Sequence, residues 1–260
     1  MNQIPSGKER QVRALGGVAI DGAPIAYMVT LAAVVTVLAS VPLSVIIGSG
    51  KSFPMSQAIY PLVGWILGPI AGAIAAGIGA LFGVFLFPHT TLVPAATLAG
   101  AVTGGFTAGI LSAQGYRKMW RSWISIFFVL IYAAYIGRAV LVNGANLWIM
   151  LLASFVNWSA LLLFILPTRK LCQTWLESPD LKRTALGLFL GTWIIAGFAH
   201  LTASTIAYFV TNWPNEVWLG MAPVAPWEHL TRTIVGTAIG TGVIAGLRAI
   251  GLVKPRHAAY

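Results

Sequence analysis

Long apolar runs separated by short polar stretches dominate the chain. The runs cover residues 24–47, 58–87, 92–113, 123–142, 147–166, 185–210 and 229–253. Each is long enough to provide the roughly 20 apolar residues that an α-helix needs to cross the hydrocarbon core of a bilayer. The pattern therefore predicts an all-α fold, a polytopic membrane helix bundle.

The run 58–87 is too long for a single crossing. It contains 30 residues and no charged side chain. One straight helix of that length would measure about 45 Å, whereas the hydrocarbon core is about 30 Å thick. Gly68-Pro69 lies inside the run, and proline is well tolerated in the first turn of a helix. We therefore expect a short segment at 58–67 and a fuller one at 69–87.

The basic residues give the chain an orientation. They cluster at 8–13, 117–121, 169–183 and 248–256. Cytoplasmic loops carry an excess of Lys and Arg, which places these clusters inside the cell. If 58–87 crosses the membrane twice, every cluster is cytoplasmic, about eight membrane segments result and both termini are cytoplasmic. If it crosses once, the bundle has seven segments and the N-terminus lies outside. Both readings remain open.

Composition excludes other classes of protein. Of the residues, 58% are hydrophobic and only 8% are charged, whereas a soluble domain carries about 25% charged residues. The formal net charge is +10, which in a soluble protein would suggest nucleic acid. Here the basic residues flank apolar runs, so the expected partner is the cytoplasmic face of the lipid bilayer and no nucleic acid is expected.

The domain organisation follows from the same pattern. We expect a cytoplasmic segment at 1–20, a single integral membrane domain at 21–253 and a cytoplasmic tail at 254–260. The first apolar run is too long for a cleavable signal peptide and lacks an Ala-x-Ala-like exit, so it is interpreted as a spanning helix. The single cysteine, Cys172, cannot form an internal disulfide, and no Cys/His set has metal-ligand spacing. We predict no metal site and no cofactor.

Small residues recur at a spacing of four along several runs. One row is Ala32, Thr36 and Ser40, and the longer rows are 68-72-76-80, 96-100-104-108 and 238-242-246. Helices in lipid associate through such residues because their backbones can approach closely. The rows are explained either by packing inside the bundle or by docking of a partner membrane subunit on one of them.

Ionisable and aromatic residues gather toward the end of the bundle that the topology places outside. The candidates for a substrate-binding site are His89, His200, Trp213, Glu216, Trp227, Glu228, His229 and Arg232. Ionisable residues inside a membrane are costly and mark functional sites, and an apolar surface with a few fixed polar groups is typical of a small-molecule pocket.

Simpler explanations of these residues stay open. The tryptophans could form an interfacial belt, Glu228 and Arg232 could be a helix-surface ion pair, and His200 could be a hydrogen-bonded packing residue. Catalysis has little support, because no Gly-x-Ser-x-Gly, His-Glu-x-x-His or P-loop pattern is present. We predict no catalytic residues and no enzyme activity. With no nucleotide-binding domain in the chain, any ATPase would be another polypeptide.

Two parts of the chain resemble the substrate-binding S component of energy-coupling factor (ECF) vitamin transporters. The first is the stretch 60–72 around Gly68-Pro69, followed by a Gly/Ala-rich helix, Pro94-Ala95-Ala96 and a helix that ends in Lys and Arg. The second is the last helix, with Pro226-Trp227 at its entry and Arg248 near its end. That family typically has six membrane helices, so 123–167 would be an extra hairpin. Its Ala-x-x-x-Ala docking motif is absent, and Ala32, Thr36 and Ser40 are the nearest match in spacing.

The resemblance implies a mechanism and partners. The protein would bind a vitamin or similar micronutrient near the outer face of the cell inner (cytoplasmic) membrane, under a lid formed by 48–57. It would topple in the bilayer on engaging a transmembrane T subunit and two cytoplasmic ATPases, which would bind the ATP.

Three other functions are weighed beside this one. The first is a non-transporting membrane scaffold or accessory subunit of a larger complex. The second is an intramembrane enzyme that uses His200 with Glu228 or Arg232. The third is an unrelated secondary transporter.

Overall fold

The computed structural model describes residues 18–46, 49–112, 118–251 and 253–260. Within these ranges the chain is an all-α bundle with two small antiparallel hairpins, β1–β2 (Ala19–Ile20, Ala23–Pro24) and β3–β4 (Pro42–Ile46, Lys51–Pro54). The ten α-helices of the described part are α1 (Ile25–Leu38), α2 (Ser56–Leu67), α3 (Pro69–Leu86), α4 (Pro94–Ser112), α5 (Lys118–Gly137), α6 (Leu147–Ala153), α7 (Phe155–Ile165), α8 (Thr168–Leu176), α9 (Leu181–Thr211) and α10 (Asn215–Ile250). Residues 1–17 of the predicted N-terminal segment and 113–117 of the basic loop lie outside the described residues.

Several helices can cross a membrane. In the described part of the chain α3, α4, α9, α10 and the span Met119–Val142 are long and apolar enough, and α6 with α7 forms a sixth such unit that is bent by 68°. The prediction of a multi-pass membrane helix bundle is confirmed. Each of the eight predicted segments contains a helix, but α1 and α2 have 14 and 12 residues. At 1.5 Å per residue these two helices measure only about 20 Å, so their crossing stays a prediction.

The predicted break at Gly68-Pro69 is confirmed, and it places a short helix in the centre of the bundle. Gly68 has a φ of 87°, a conformation that glycine adopts without strain, and α3 begins at Pro69. Helix α2 is buried from Ala58 to Leu67 and contacts α1, α3, α4, α9 and α10. An apolar surface all round the helix suits this central position.

Glycines allow α2, α3 and α4 to touch through their backbones. A Cβ atom on Gly105 of α4 would lie 2.5 Å from the carbonyl oxygen of Gly72 on α3. Gly64 of α2 faces the Gly105 carbonyl oxygen, and Gly109 faces Pro69 just as closely. Members of the rows 68-72-76-80 and 96-100-104-108 make similar close approaches, since Gly72 faces Gly64, Gly100 faces Ala199 and Gly104 faces Tyr60. These two rows therefore serve internal packing, one of the two explanations expected.

The two remaining rows of small residues differ in their exposure. On α1 the Thr36 hydroxyl donates to the Gly79 carbonyl oxygen at 3.1 Å, and Ala32 is buried against α3. The Ser40 hydroxyl donates to the Val37 carbonyl oxygen within its own chain segment. Ala32 and Thr36 of this row thus contact α3, and docking of a partner on the row Ala32-Thr36-Ser40 stays a prediction. The α10 row 238-242-246 is exposed, with open space beside Gly242 and Gly246.

The first membrane helix ends earlier than predicted. The apolar run suggests a helix up to Ile47, a residue outside the described ranges, but α1 stops at Leu38 and Pro42–Ile46 is strand β3. Proline cannot supply the N–H that continues a helix, and it disfavours helical geometry in the residue before it. The residues around Pro42 are rich in Val and Ile, which suit a strand. Apolar character alone does not distinguish a helix from a strand at these positions.

Most of the segment 211–228 is helical, whereas the sequence predicts an outer loop there. Helix α9 ends at Thr211, and helix α10 begins at Asn215, directly after Pro214, with Pro223 and Pro226 in its interior. The three prolines and three tryptophans of the segment are loop signals in the sequence. Membrane helices tolerate proline because neighbouring helices and side chains satisfy the freed backbone groups. The residues predicted for a loop therefore stand on a fixed helical scaffold.

The end of the bundle that carries the basic residues is tied together by Arg248 and by the C-terminal tail. The Arg248 guanidinium donates to the carbonyl oxygens of Ser178 and Leu176, at 2.8 and 2.9 Å, in the connection between α8 and α9. The Ala259 N–H donates to the Trp65 carbonyl oxygen near the end of α2, at 2.8 Å. The tail therefore packs against the membrane domain.

Candidate functional site

The bundle contains a cavity of about 520 Å³ at the end opposite Arg248. It lies between the β3–β4 hairpin, the first turns of α2 and α4, the turn before α4, the second half of α9 and the first half of α10. The residues of its wall are Val45, Ile46, Ser49, Phe53, Gln57, Tyr60, Thr90, Thr91, Leu92, Val93, Ala96, Thr97, Gly100, Ala196, Ala199, His200, Ala203, Ser204, Ala207, Thr211, Trp213, Glu216, Val217, Gly220, Met221, Val224, Ala225, Glu228 and Arg232.

Small side chains on α9 create the space. Ala196, Ala199, Ala203 and Ala207 recur at spacings of three and four residues and face the cavity. Residues at this spacing share one helix face. The cavity wall is otherwise mostly apolar, with a few larger polar side chains such as His200, Glu228 and Arg232. This composition is usual for a small-molecule site.

The β3–β4 hairpin covers the cavity. Val45, Ile46, Ser49 and Phe53 of the hairpin contribute to its wall. The Lys51 ammonium donates to the Thr91 carbonyl oxygen at 2.7 Å, which joins the hairpin to the turn before α4. The predicted lid, 48–57, thus corresponds to the turn of this hairpin, strand β4 and the start of α2, with Gly48 outside the described residues; strand β3 is not part of the prediction. Whether it opens stays a prediction.

Arg232 and Glu228 form a buried pair on α10. The Arg232 Nη2 and Glu228 Oε2 atoms are 3.8 Å apart, which is too long for a hydrogen bond, and the Arg232 side chain is 3% exposed. Its guanidinium lies 4.7 Å from the centre of the Phe53 ring. The Nε and Nη2 atoms make no hydrogen bond. Since buried donors without a partner are costly, this arginine has unused capacity for an acceptor.

His200 is held in a short hydrogen-bond chain. Its Nδ1 atom is 2.9 Å from Asn157 Oδ1, and its Nε2 atom is 3.1 Å from Ser204 Oγ. An amide oxygen can only accept, so the proton lies on Nδ1 and Ser204 donates to Nε2. The prediction that His200 could be a hydrogen-bonded packing residue agrees with this arrangement, and the ring also forms part of the cavity wall.

The hydrogen-bonded groups Ser204, His200 and Asn157 follow the order of a nucleophile, a base and an amide that orients the base. Acyl transfer also needs donors for the oxyanion, which are most often backbone N–H groups. Ser204 stands inside α9, where backbone N–H groups are committed to helical hydrogen bonds. His200 forms its side-chain hydrogen bonds with Asn157 and Ser204 rather than with Glu228 or Arg232. The arrangement favours a structural role in the cavity wall.

His229 lies behind the cavity wall. It is fully buried, and its ring centre is 4.7 Å from that of His200. The Nδ1 atom is 3.0 Å from the Ala225 carbonyl oxygen and therefore carries the proton. His229 thus supports His200 from behind instead of facing a ligand.

Trp213 and Glu216 stand at the mouth of the cavity. Trp213 packs against Trp218 with ring centres 5.2 Å apart and against Tyr208 at 5.8 Å. Glu216 is exposed near the start of α10. A rigid aromatic cluster with a carboxylate beside it therefore borders the entrance.

Besides His229, two further predicted site residues lie outside the cavity. Trp227 is 70% exposed on the outward face of α10, as an interfacial tryptophan would be. His89 is exposed and meets the Phe87 ring edge-on. Its neighbours Thr90 and Thr91 belong to the cavity wall. Of the eight predicted residues, the structure brings His200, Trp213, Glu216, Glu228 and Arg232 to the cavity wall.

Sequence reasoning missed three residues near the site. Asn157 was hidden in the apolar run 147–166, although a lone amide in such a run is itself a signal. Tyr60, whose hydroxyl is 3.3 Å from Ser56 Oγ, looked like part of an apolar segment. Phe53 lies in a segment that the sequence predicts to be a loop, and only the fold shows that its ring packs against the Arg232 guanidinium. Among the described residues, no group of three or more His, Cys, Asp or Glu could hold a metal ion.

Comparison of the chain with protein-family models, with curated proteins and with solved structures gave no match.

Proposed function

We propose that this protein is the membrane substrate-binding subunit of an ATP-driven importer of the ECF type, and that its cargo is a vitamin or a similar small micronutrient. The observation that carries the proposal is the lidded cavity. Its volume of about 520 Å³ lies within the range of about 300–1,000 Å³ that is typical of small-molecule sites.

The wall suggests the chemistry of the cargo. Most of the surface is apolar, so the ligand needs an apolar or aromatic body of comparable size. Arg232 offers two nitrogen donors without a hydrogen bond, and a carboxylate, carbonyl or ring acceptor on the ligand would satisfy them. Gln57 and Thr97 add further polar groups to the wall, whereas both ring nitrogens of His200 are already engaged. We propose a largely apolar ligand with an acceptor group directed at Arg232.

The proposed orientation puts the cavity on the outer side of the cell inner membrane. Arg248 and the basic connection at 168–183 lie at the other end of the bundle, and basic ends face the cytoplasm. Eight crossings with both termini cytoplasmic agree with this orientation if the short helices α1 and α2 are counted. The β3–β4 hairpin would then be an outer lid that admits the ligand.

Transport would require partner subunits. The chain carries no P-loop pattern, so the energy would come from two cytoplasmic ATPases joined through a T subunit. The row Ala32-Thr36-Ser40 is mostly occupied by α3, which argues against this row as the T-subunit surface.

Purification from native membranes tests the transport proposal. The tagged protein is isolated in a mild detergent and the accompanying polypeptides are identified by mass spectrometry. The proposal expects a polytopic membrane protein and two ATPase copies or subunits with P-loop motifs, in fixed ratio. A stable complex that contains no ATPase would contradict it.

A scaffold or accessory subunit is the second candidate function. The exposed row of small residues at 238-242-246 on α10 favours it, because such a row lets another helix approach closely. The same purification distinguishes the two functions, because a scaffold would co-purify with partner proteins but with no small molecule and no ATPase.

A further inference from the structure

A second pocket opens between the start of α5 and the end of α7, at the basic end of the bundle. Its volume is about 300 Å³, and it is lined by Arg121, Ser122, Ser125, Ile126, Ile165 and Arg169. None of these described lining residues is acidic. Two guanidinium groups that share a pocket repel each other unless an anion lies between them, so the composition of the pocket points to an anionic ligand.

Both arginines keep an unused donor at the pocket. Arg169 Nη1 donates to the carbonyl oxygens of Phe164 and Ile165, at 3.3 and 3.2 Å, which caps the end of α7 and holds this side chain in place. The Nε atoms of Arg121 and Arg169 are both buried and have no hydrogen-bond partner among the described residues. An anion in the pocket would therefore meet one unused donor on each arginine.

The surroundings give the ligand a second, apolar part. The membrane span that contains α5 begins at Met119, only two residues before Arg121. Ile126 and Ile165, at the apolar side of the pocket, are about half exposed, as is Leu162 one turn away on α7. Trp123 is exposed nearby, as expected at a bilayer interface. The pocket thus joins a dibasic head site to a lipid-facing apolar groove.

We propose that this pocket binds the phosphate headgroup of an anionic phospholipid, with Arg121 and Arg169 donating to the phosphate oxygens and one acyl chain lying along Ile126 and Ile165. Basic pockets between membrane helices on the cytoplasmic side are known to receive such headgroups. The lipid would link the start of α5 to the start of α8, which packs against α9. This inference is independent of the ligand in the main cavity.

A lipid titration of the purified full-length protein tests the proposal. The protein in detergent is titrated with phosphatidylglycerol, phosphatidylcholine or inorganic phosphate, and the thermal midpoint Tm is recorded. Phosphatidylglycerol is expected to raise Tm saturably at low lipid-to-protein ratios, whereas phosphatidylcholine is not. An equal rise with inorganic phosphate would overturn the lipid assignment in favour of a soluble anion.

Matched variants locate the effect. Arg121→Gln and Arg169→Gln are each expected to weaken the phosphatidylglycerol response at least fivefold. The control Arg183→Gln removes the same charge from an exposed position of α9 outside the pocket and should keep the full response. An equal loss in all three variants would overturn the pocket, because it would indicate general charge attraction.

If a glutamine variant does not fold, phosphatidylglycerol retained by Arg121→Lys and Arg169→Lys is counted by native mass spectrometry. Retention below the wild-type level supports the guanidinium site, and full retention overturns it.

Discussion

At the scale of single residues, the polar side chains of the main cavity are of two kinds. His200 has both ring nitrogens engaged, with Asn157 and Ser204. Arg232 is buried, yet two of its nitrogens have no hydrogen-bond partner. The first kind fixes the shape of the wall, and the second is available to a ligand. The two kinds predict different effects of mutation.

Substitution of His200 by alanine is expected to weaken ligand binding about tenfold while the protein still folds. The change removes part of the wall that a ligand would contact, which lowers the affinity, whereas the unpaired Asn157 oxygen lowers the stability of the fold, by about 1–3 kcal/mol. Affinity is measured with the compound that co-purifies with the protein. Trp227→Ala serves as control, because Trp227 is exposed outside the cavity. Equal affinities for wild type and His200→Ala would remove His200 from the site.

Substitution of Arg232 by glutamine should reduce affinity more strongly, by about 10- to 100-fold. Hydrogen bonds to charged groups contribute about 1.5–3 kcal/mol, and every 1.4 kcal/mol is a factor of ten in Kd. Arg138→Gln is the matched control, because Arg138 lies outside the cavity and contacts Asn212 and Phe209. If both arginine variants bind as the wild type does, the ligand does not use Arg232.

The sequence indicates the ionisable part of the candidate site. Ionisable residues in apolar surroundings are visible without a structure, so His200, Glu228 and Arg232 could be chosen. Phe53 and Tyr60 could not, because apolar and aromatic residues are common in every membrane helix and only the packing shows which of them meet the cavity. Trp227 was chosen for its type, and its exposure suits an interfacial position.

At the scale of elements, the sequence predicts where helices exist better than where they end. The break at Gly68-Pro69 followed from a length conflict with the bilayer, which is a physical constraint. The positions of the end of α1 and of the start of α10 depend on prolines, and the effect of a proline on a helix depends on the residues packed around it. Pro42 is followed by a strand, whereas Pro223 and Pro226 are accommodated inside a helix. One residue type therefore has opposite outcomes in the two contexts.

The contact between α3 and α4 predicts a glycine-dependent stability. Gly105→Ala should destabilise the protein by about 1–3 kcal/mol, because the new methyl group would meet the Gly72 carbonyl oxygen at 2.5 Å and force the helices apart. Gly242→Ala has open space around it and should leave the thermal midpoint unchanged or raise it slightly. The two variants are compared by thermal unfolding in the same detergent. A similar response of both would contradict the packing described here.

The packing of α8 on α9 predicts an unreactive thiol. Cys172 is fully buried, its Sγ lies 3.3 Å from the Gly187 carbonyl oxygen, and burial raises the pKa of its thiol from 9.0 to about 12. At pH 8 its thiolate fraction is then roughly a thousandfold below that of an ordinary thiol. A maleimide should label the protein only after denaturation.

The control for this labelling is Thr174→Cys in a Cys172→Ser background, since Thr174 is exposed on the same helix. Its labelling should be fast in the folded protein and should increase with pH as an ordinary thiol does. Rapid labelling of native Cys172 would show that α8 is not docked on α9.

At the scale of the whole molecule, the bundle has two unlike ends. One end has a cavity under a hairpin, and the other has Arg248, the packed tail and a dibasic pocket. A short buried helix, α2, lies between them and begins at the cavity with Gln57 and Tyr60. Sequence charge patterning predicted this polarity, because basic residues mark one side of a membrane. It could not predict a cavity, which arises from side chains that are small at positions set by tertiary packing.

Binding of a small molecule in the main cavity is tested by mass spectrometry of the compounds that the purified protein releases on denaturation. The wild-type protein is compared with Val217→Trp, which adds a bulky side chain to the cavity wall on α10. We expect one stoichiometric compound, apolar in its body and with an acceptor group, in the wild type and its loss in the variant. If the wild-type protein releases nothing, even after incubation with a mixture of vitamins, or if the variant retains the compound in full, the cavity is not a binding site for a small molecule.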